Sequence, residues 1–132
     1  MLNAQSRVTF VSNLIGNAKV IRLIFGQLRM EEIFAAEFEN ELLKDENAIL
    51  MDVRTAEEYA EGHLENAELN DVMDPEFSTR LDQLDKNKNY YVYCRSGQRS
   101  AAACHAMKQL GFKGRLINLA GGILAWKGPI IK

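Results

Sequence analysis

The stretch Tyr90-Tyr91-Val92-Tyr93-Cys94-Arg95-Ser96-Gly97-Gln98-Arg99-Ser100 (residues 90–100) decides the fold. Its first four residues are aromatic or β-branched, which suits a strand. From Ser100 to Leu110 the chain is rich in alanine and then meets Gly111, so the spacing predicts a helix over 100–110. The residues between strand and helix form a tight loop that begins with a cysteine. Backbone N–H groups at a helix start have no partner within the helix. A loop curled over that start points several N–H groups at one spot, and the helix dipole also favours an anion there. The anion is either the Cys94 thiolate itself or a charged group of a substrate. Arg95 and Arg99 add positive charge, Ser96 and Ser100 can donate hydrogen bonds, and Gly97 suits a turn that needs a positive φ. Such surroundings lower a thiol pKa from about 8.5 toward neutrality. Burying two arginines and two serines beside an inert thiol would be costly, so Cys94 reads as a reactive nucleophile.

Outward from this loop the chain alternates strand and helix signals. Ile33-Phe34 reads as a short edge strand, and residues 35–44 have helical spacing with Ala35, Phe38 and Leu42 on one side. Residues 48–53 (AILMDV) form the continuous apolar run of a buried parallel strand. Thr55 can cap a short helix with Glu57 and Glu58 in its first turn, and Gly62 ends it. Residues 67–69 suit a third strand. Pro75 opens a helix to about Leu84, residues 115–119 form the last strand, and Gly121-Gly122 leads into a short helix through Trp126. Strands separated by helices predict an α/β fold with a mostly parallel sheet of about five strands and helices on both faces. Ligands of such folds sit beyond the carboxyl ends of the strands, where Cys94 lies.

Three segments together resemble the single-domain rhodanese-like sulfurtransferases. They are Cys94-Arg95-Ser96-Gly97-Gln98-Arg99-Ser100; Asp52-Val53-Arg54 with Glu58-Tyr59 and Gly62-His63; and Asn118-Leu119-Ala120-Gly121-Gly122 with Ala125-Trp126. The likeness spans about residues 31–128. It implies that Cys94 takes a sulfane sulfur from thiosulfate or a similar donor, carries it as a persulfide, and gives it to cyanide or to a thiol of a small molecule or protein. It also implies that Arg99 and the loop amides hold the persulfide's charge, that Arg95 binds the sulfonate end of thiosulfate, and that no metal or organic cofactor is needed. A persulfide carrier or interaction module with little free turnover is the alternative within this chemistry. A cysteine phosphatase or arsenate reductase is the alternative outside it. Phosphatase loops place five residues between cysteine and arginine, whereas four stand between Cys94 and Arg99. The shorter loop suits one sulfur atom better than a phosphate.

Asp52 and Arg54 follow the strand beside that of Cys94. They read as supporting residues, either a charge pair that props the loop or, through Asp52, a carboxylate that orients a loop arginine. His63 is expected to bond the backbone, and His105 to lie on a helix surface. Two histidines make no persuasive metal site. Cys104 lies one to two turns into the helix and reads as a small buried residue, too far from Cys94 for a disulfide.

The 132 residues, 47% apolar and 26% charged, suit one soluble globular domain. A net charge of −2 gives no sign of a nucleic-acid partner. Two cysteines make no disulfide framework, so the default is a reducing compartment, the cytoplasm. The charge is uneven, however. Residues 1–30 hold four basic groups and no acidic ones, while residues 31–132 hold 12 basic and 18 acidic groups, a net of −6. That break divides the chain into an N-terminal extension, 1–30, and a main domain, 31–132. Leu14, Ala18, Ile21, Phe25 and Leu28 recur at helical spacing with Lys19, Arg22 and Arg29 between them. The spacing predicts a short basic amphipathic helix, which packs on the domain or frays in preference to lying on a membrane. A membrane-associated or exported form would have to act through this segment, yet Asn13 and Asn17 interrupt any secretory apolar run.

Overall fold

The computed structural model describes residues 9–12, 20–25 and 28–132, with side chains from Met30 onward. Its strands are β1 (Thr9–Ser12), β2 (Val20–Phe25), β3 (Leu28–Ile33), β4 (Ala48–Asp52), β5 (His63–Leu64), β6 (Glu68–Leu69), β7 (Asn89–Tyr93), β8 (Leu116–Leu119) and β9 (Ile130–Ile131). Its helices are α1 (Ala35–Lys44), α2 (Ala56–Glu61), α3 (Phe77–Asp82) and α4 (Gln98–Gln109), with a 3₁₀ turn at Gly122–Ala125. The main sheet runs β1-β2-β3-β8-β7-β4-β6. From β3 to β6 all neighbours are parallel, which gives the mostly parallel five-stranded core of the expected α/β fold. β5 and β9 form a separate small antiparallel ladder.

Side chains of β7 alternate between two cores, as the period of a strand requires. Tyr90 and Val92, with Cys94 just beyond, join Met51, Leu81, Met107 and Phe112 on one face, beneath α3 and α4. Tyr91 and Tyr93 join Phe38, Leu50, Ile117 and Leu119 on the other, beneath α1. Helices therefore cover both faces of the sheet. Phe38 is fully buried and meets Tyr91 edge-on at 5.4 Å between ring centroids. Among the described residues no helix is long and apolar enough to cross a membrane.

The head departs from its expected helix. β2 and β3 pair antiparallel, from Val20 opposite Ile33 to Phe25 opposite Leu28, and β1 pairs with β2. Ile21, Phe25 and Leu28 are therefore strand residues, while Leu14, Ala18 and Lys19 lie outside the described residues. The reason is local and tertiary at once. Val20, Ile21 and Ile24 are β-branched, and β8 presents an edge that β3 covers through Glu31–Ile33. β3 ends at Ile33, and Phe34 stands at the N-cap of α1 instead of in a strand. The other shifts are small. α3 starts two residues after Pro75, and α4 starts at Gln98 rather than Ser100.

Phe38→Ala should destabilise the protein by about 3–5 kcal/mol, because it empties a site with no solvent access. Urea denaturation measures this, and a loss below about 1 kcal/mol would contradict the packing described.

Candidate active site

β7 delivers Cys94 to the carboxyl end of the sheet, and α4 begins four residues later. The residue is 1% exposed. Its Sγ accepts hydrogen bonds from the Gly97 N–H at 3.1 Å, the Ser100 N–H at 3.4 Å and the Ser100 hydroxyl at 3.3 Å. Gly97 takes φ +110°, which turns its N–H inward and which L side chains rarely adopt. The first half of the loop is clamped from the opposite side. The Ile123 N–H donates to the Cys94 carbonyl at 2.9 Å, and the Leu124 N–H to that of Arg95 at 3.2 Å. The chain passes so close that a Cβ on Gly122 would lie 2.2 Å from the Arg95 carbonyl oxygen.

Burial is the largest single influence on the Cys94 thiol and works against its charged form. The hydroxyl and N–H of Ser100, with the N–H groups of Gly97 and Ser96, outweigh it, so the thiol titrates below its ordinary range. Cys104 is the contrast. It is buried without such donors, and burial pushes its thiol up to about 12. Both cysteines are free.

The two loop arginines are held differently. Arg99 makes a fork-to-fork pair with Glu58, at 2.8 and 3.0 Å. Glu58 is itself fixed by a reciprocal cap with Thr55 at the start of α2. The paired Arg99 guanidinium holds the Glu58 carboxyl down at about 2. Arg95 is exposed, and among the described residues its guanidinium has no partner. Ser96 and Gln98 are exposed on the same loop, while Ser100 is buried.

Asp52 and Arg54 form a closed buried pair, 2.6 Å at its shortest. The Tyr93 hydroxyl donates to Asp52 at 2.6 Å, and Arg54 donates to the Gly62 carbonyl at 2.7 Å. The pair thus ties the ends of β4 and β7 to the end of α2. Asp52 does not reach a loop arginine; Glu58 takes that place. Of the histidines, His63 stacks on Tyr59 with Nδ1 2.9 Å from the Tyr59 carbonyl, and His105 is exposed.

Glu58 and Asn118 are the residues that sequence reasoning passed over as parts of the site. Both stand in the segments quoted above, but each read as ordinary, one a first-turn acid and the other a strand residue. Asn118 is fully buried on β8. It accepts from the Ser100 hydroxyl and donates to the Gly97 carbonyl at 3.0 Å and to Glu32 at 2.9 Å.

Comparison with known proteins identifies the family of this fold. The family profile described as "Rhodanese-like domain" matches residues 34–129. YtwF of Bacillus subtilis is 38% identical over 104 residues, covering 76% of this chain and 94% of that one. A protein named "Sulfurtransferase" from Allochromatium vinosum is 37% identical over 98 residues, covering 74% and 88%. The crystal structure of a rhodanese-like domain protein from Staphylococcus aureus superimposes with a TM-score of 0.63 at 33% identity, covering 73% and 90%.

In the native protein, iodoacetamide should alkylate Cys94 and leave Cys104 untouched until the chain is unfolded. Because the Cys94 thiol is lowered, its alkylation rate should level off at a lower pH than that of an ordinary cysteine peptide. Ser100→Ala removes one donor to Sγ and should move that midpoint upward. A Cys94 midpoint at or above the peptide's would contradict the donor arrangement.

Proposed function

The chain belongs to the rhodanese-like domain family, and from that premise we propose that it transfers sulfane sulfur through a persulfide on Cys94. The observation that carries the reading is the convergence of three hydrogen-bond donors on a buried Sγ at a helix start. Four residues stand between Cys94 and Arg99, a spacing that supports sulfur over phosphate as the group held.

In the first step the Cys94 thiolate attacks the outer sulfur of thiosulfate. A bond forms from Sγ to that sulfur, the sulfur–sulfonate bond breaks, and sulfite leaves with the bonding pair. Sγ is then neutral, and the charge sits on the outer sulfur. In the second step cyanide or a thiolate attacks the outer sulfur, and the Sγ–S bond breaks to return the thiolate. No metal or organic cofactor enters either step. The loop N–H groups of Ser96, Gly97 and Ser100 favour the thiolate. Arg95, exposed and free of a carboxylate partner among the described residues, is the group we assign to the donor's sulfonate. Arg99 contributes its charge to the rim of the cradle from its fixed place on Glu58. Gln98 lines the exposed side of the loop, and Asp52 and Arg54 support it from beneath.

Residues 31–132 are the sulfur-transfer unit, and residues 1–30 are an added segment. Strand β3 crosses that boundary; its residues 31–33 pair with β8, and β2 of the segment pairs with β3. The donor is a small sulfane compound, and the acceptor is a thiol or a protein. Two free cysteines suit a reducing compartment, the cytoplasm.

Mixing the protein with thiosulfate should add one sulfur to its intact mass, on Cys94, and cyanide should then remove it as thiocyanate. Cys94→Ser should abolish both. Loading from a protein donor with negligible thiosulfate turnover would identify a carrier in place of a turnover enzyme. Hydrolysis of an aryl phosphate with no sulfur gained on Cys94 would overturn the proposal.

A further inference from the structure

The Ser100 hydroxyl lies between two acceptors but holds one proton. Its Oγ is 3.3 Å from Cys94 Sγ and 2.5 Å from Asn118 Oδ1. The orientation of the Asn118 amide is not free. Its Nδ2 faces the Gly97 carbonyl at 3.0 Å and the Glu32 carboxylate at 2.9 Å, and neither oxygen can donate. Both amide hydrogens are therefore spent, and Oδ1 must be the atom that faces Ser100. An acceptor fixed in this way competes with Sγ for the serine proton.

We propose that Asn118 is a positioning residue for sulfur transfer, which holds the Ser100 proton whenever Cys94 Sγ carries no charge and yields it when the thiolate forms. The inference rests on the persulfide reading of Cys94 and adds a regulator to it. In the thiol form the Ser100 O–H points to Asn118, and the serine oxygen is open to the Cys94 S–H. On ionisation the hydroxyl turns to Sγ, at the cost of its bond to Oδ1. After sulfur is taken up, Sγ is neutral again and the proton returns to Asn118. The exchange needs one rotation of one hydroxyl and leaves the backbone in place.

The arrangement sets how strongly the thiolate is stabilised. A thiolate with an uncontested serine donor would be more abundant but a weaker nucleophile, since nucleophilicity falls with thiol pKa. Asn118 withholds part of that stabilisation. The charged and titratable groups around Sγ do not replace it. Arg99 on α4 is closed on Glu58, and Asp52 on β4 is closed on Arg54. Cys104 on α4 is buried as a neutral thiol. Glu32 on β3 bonds the Nδ2 of Asn118.

The test is a double-substitution cycle read by the pH dependence of Cys94 alkylation, which needs no sulfur transfer. Asn118→Leu, similar in size but without polar atoms, should lower the Cys94 midpoint by about one pH unit, about a tenfold gain in thiolate below it. Combined with Ser100→Ala, the same substitution should have no effect, because the contested proton is gone. An equal shift in both backgrounds would overturn the proposal, since a general loosening of the site acts with or without Ser100. A wild-type measurement covers a failure of Asn118→Leu to fold. The Asn118 side-chain amide resonance should titrate with the Cys94 midpoint and lose most of that response in Ser100→Ala. An unchanged response there would overturn the proposal as well. If neither thiosulfate nor a protein persulfide donor loads Cys94 while the cycle behaves as described, the sulfur-transfer reading falls and the proton exchange stands.

Discussion

The structure depends on keeping one sulfur atom available for charge in a place almost closed to water. Sγ of Cys94 meets two N–H groups and a hydroxyl. None of these is gathered by chance. The N–H of Ser100 belongs to the first turn of a helix, where backbone donors have no internal partner. That of Gly97 is turned inward by a conformation most residues avoid. Much of the surrounding architecture serves to hold these donors still. The parallel sheet presents Cys94 at a carboxyl edge, the Gly122–Ala125 turn clamps the loop from one side, and Glu58 anchors it by Arg99 from the other.

The charged groups sort into those that hold the site and those that face outward. Asp52, Arg54, Glu58 and Arg99 are each spent on one another. Their value is geometric: the buried Asp52–Arg54 pair and the partly exposed Glu58–Arg99 pair each offer little net stability but fix the elements they join. Arg95 is different. It is exposed and has no partner among the described residues, which is why we assign it to an arriving anion. Asn118 belongs to neither set. It is neutral and buried, and it touches two residues that donate to the thiol, Ser100 and Gly97.

Much of this was legible in the sequence, and the misses have physical causes. The run Tyr90–Tyr93 announced the strand that brings Cys94 to the sheet edge, and Thr55 announced a cap that the structure contains. The loop's shape was readable because a strand, a cysteine, a glycine suited to positive φ and a helix start follow one another in the sequence, although Arg95, Ser96 and Gln98 are exposed rather than buried as the sequence suggested. Partner choice was not readable. Nothing local distinguishes Asp52 from Glu58 as the holder of a loop arginine, because that depends on how α2 packs beside α4. The head failed for a related reason. Val20–Phe25 carries a helical spacing and a β-branched composition at once, and the pairing is settled by an edge of β8 more than 80 residues away in the chain. Asn118 was invisible as a site residue because its role lies in three contacts, two of them to α4 and its cap and one to β3.

The central claim is that the atom moved is the outer sulfur of the donor and that it rests on Cys94. Thiosulfate labelled with sulfur-35 in one position at a time tests this most directly. Label in the outer, sulfane position should appear on the protein, on the peptide that contains Cys94, and leave as thiocyanate when cyanide is added. Label in the sulfonate position should appear only in free sulfite. Label retained from the sulfonate position, or sulfane label on any residue other than Cys94, would contradict the account.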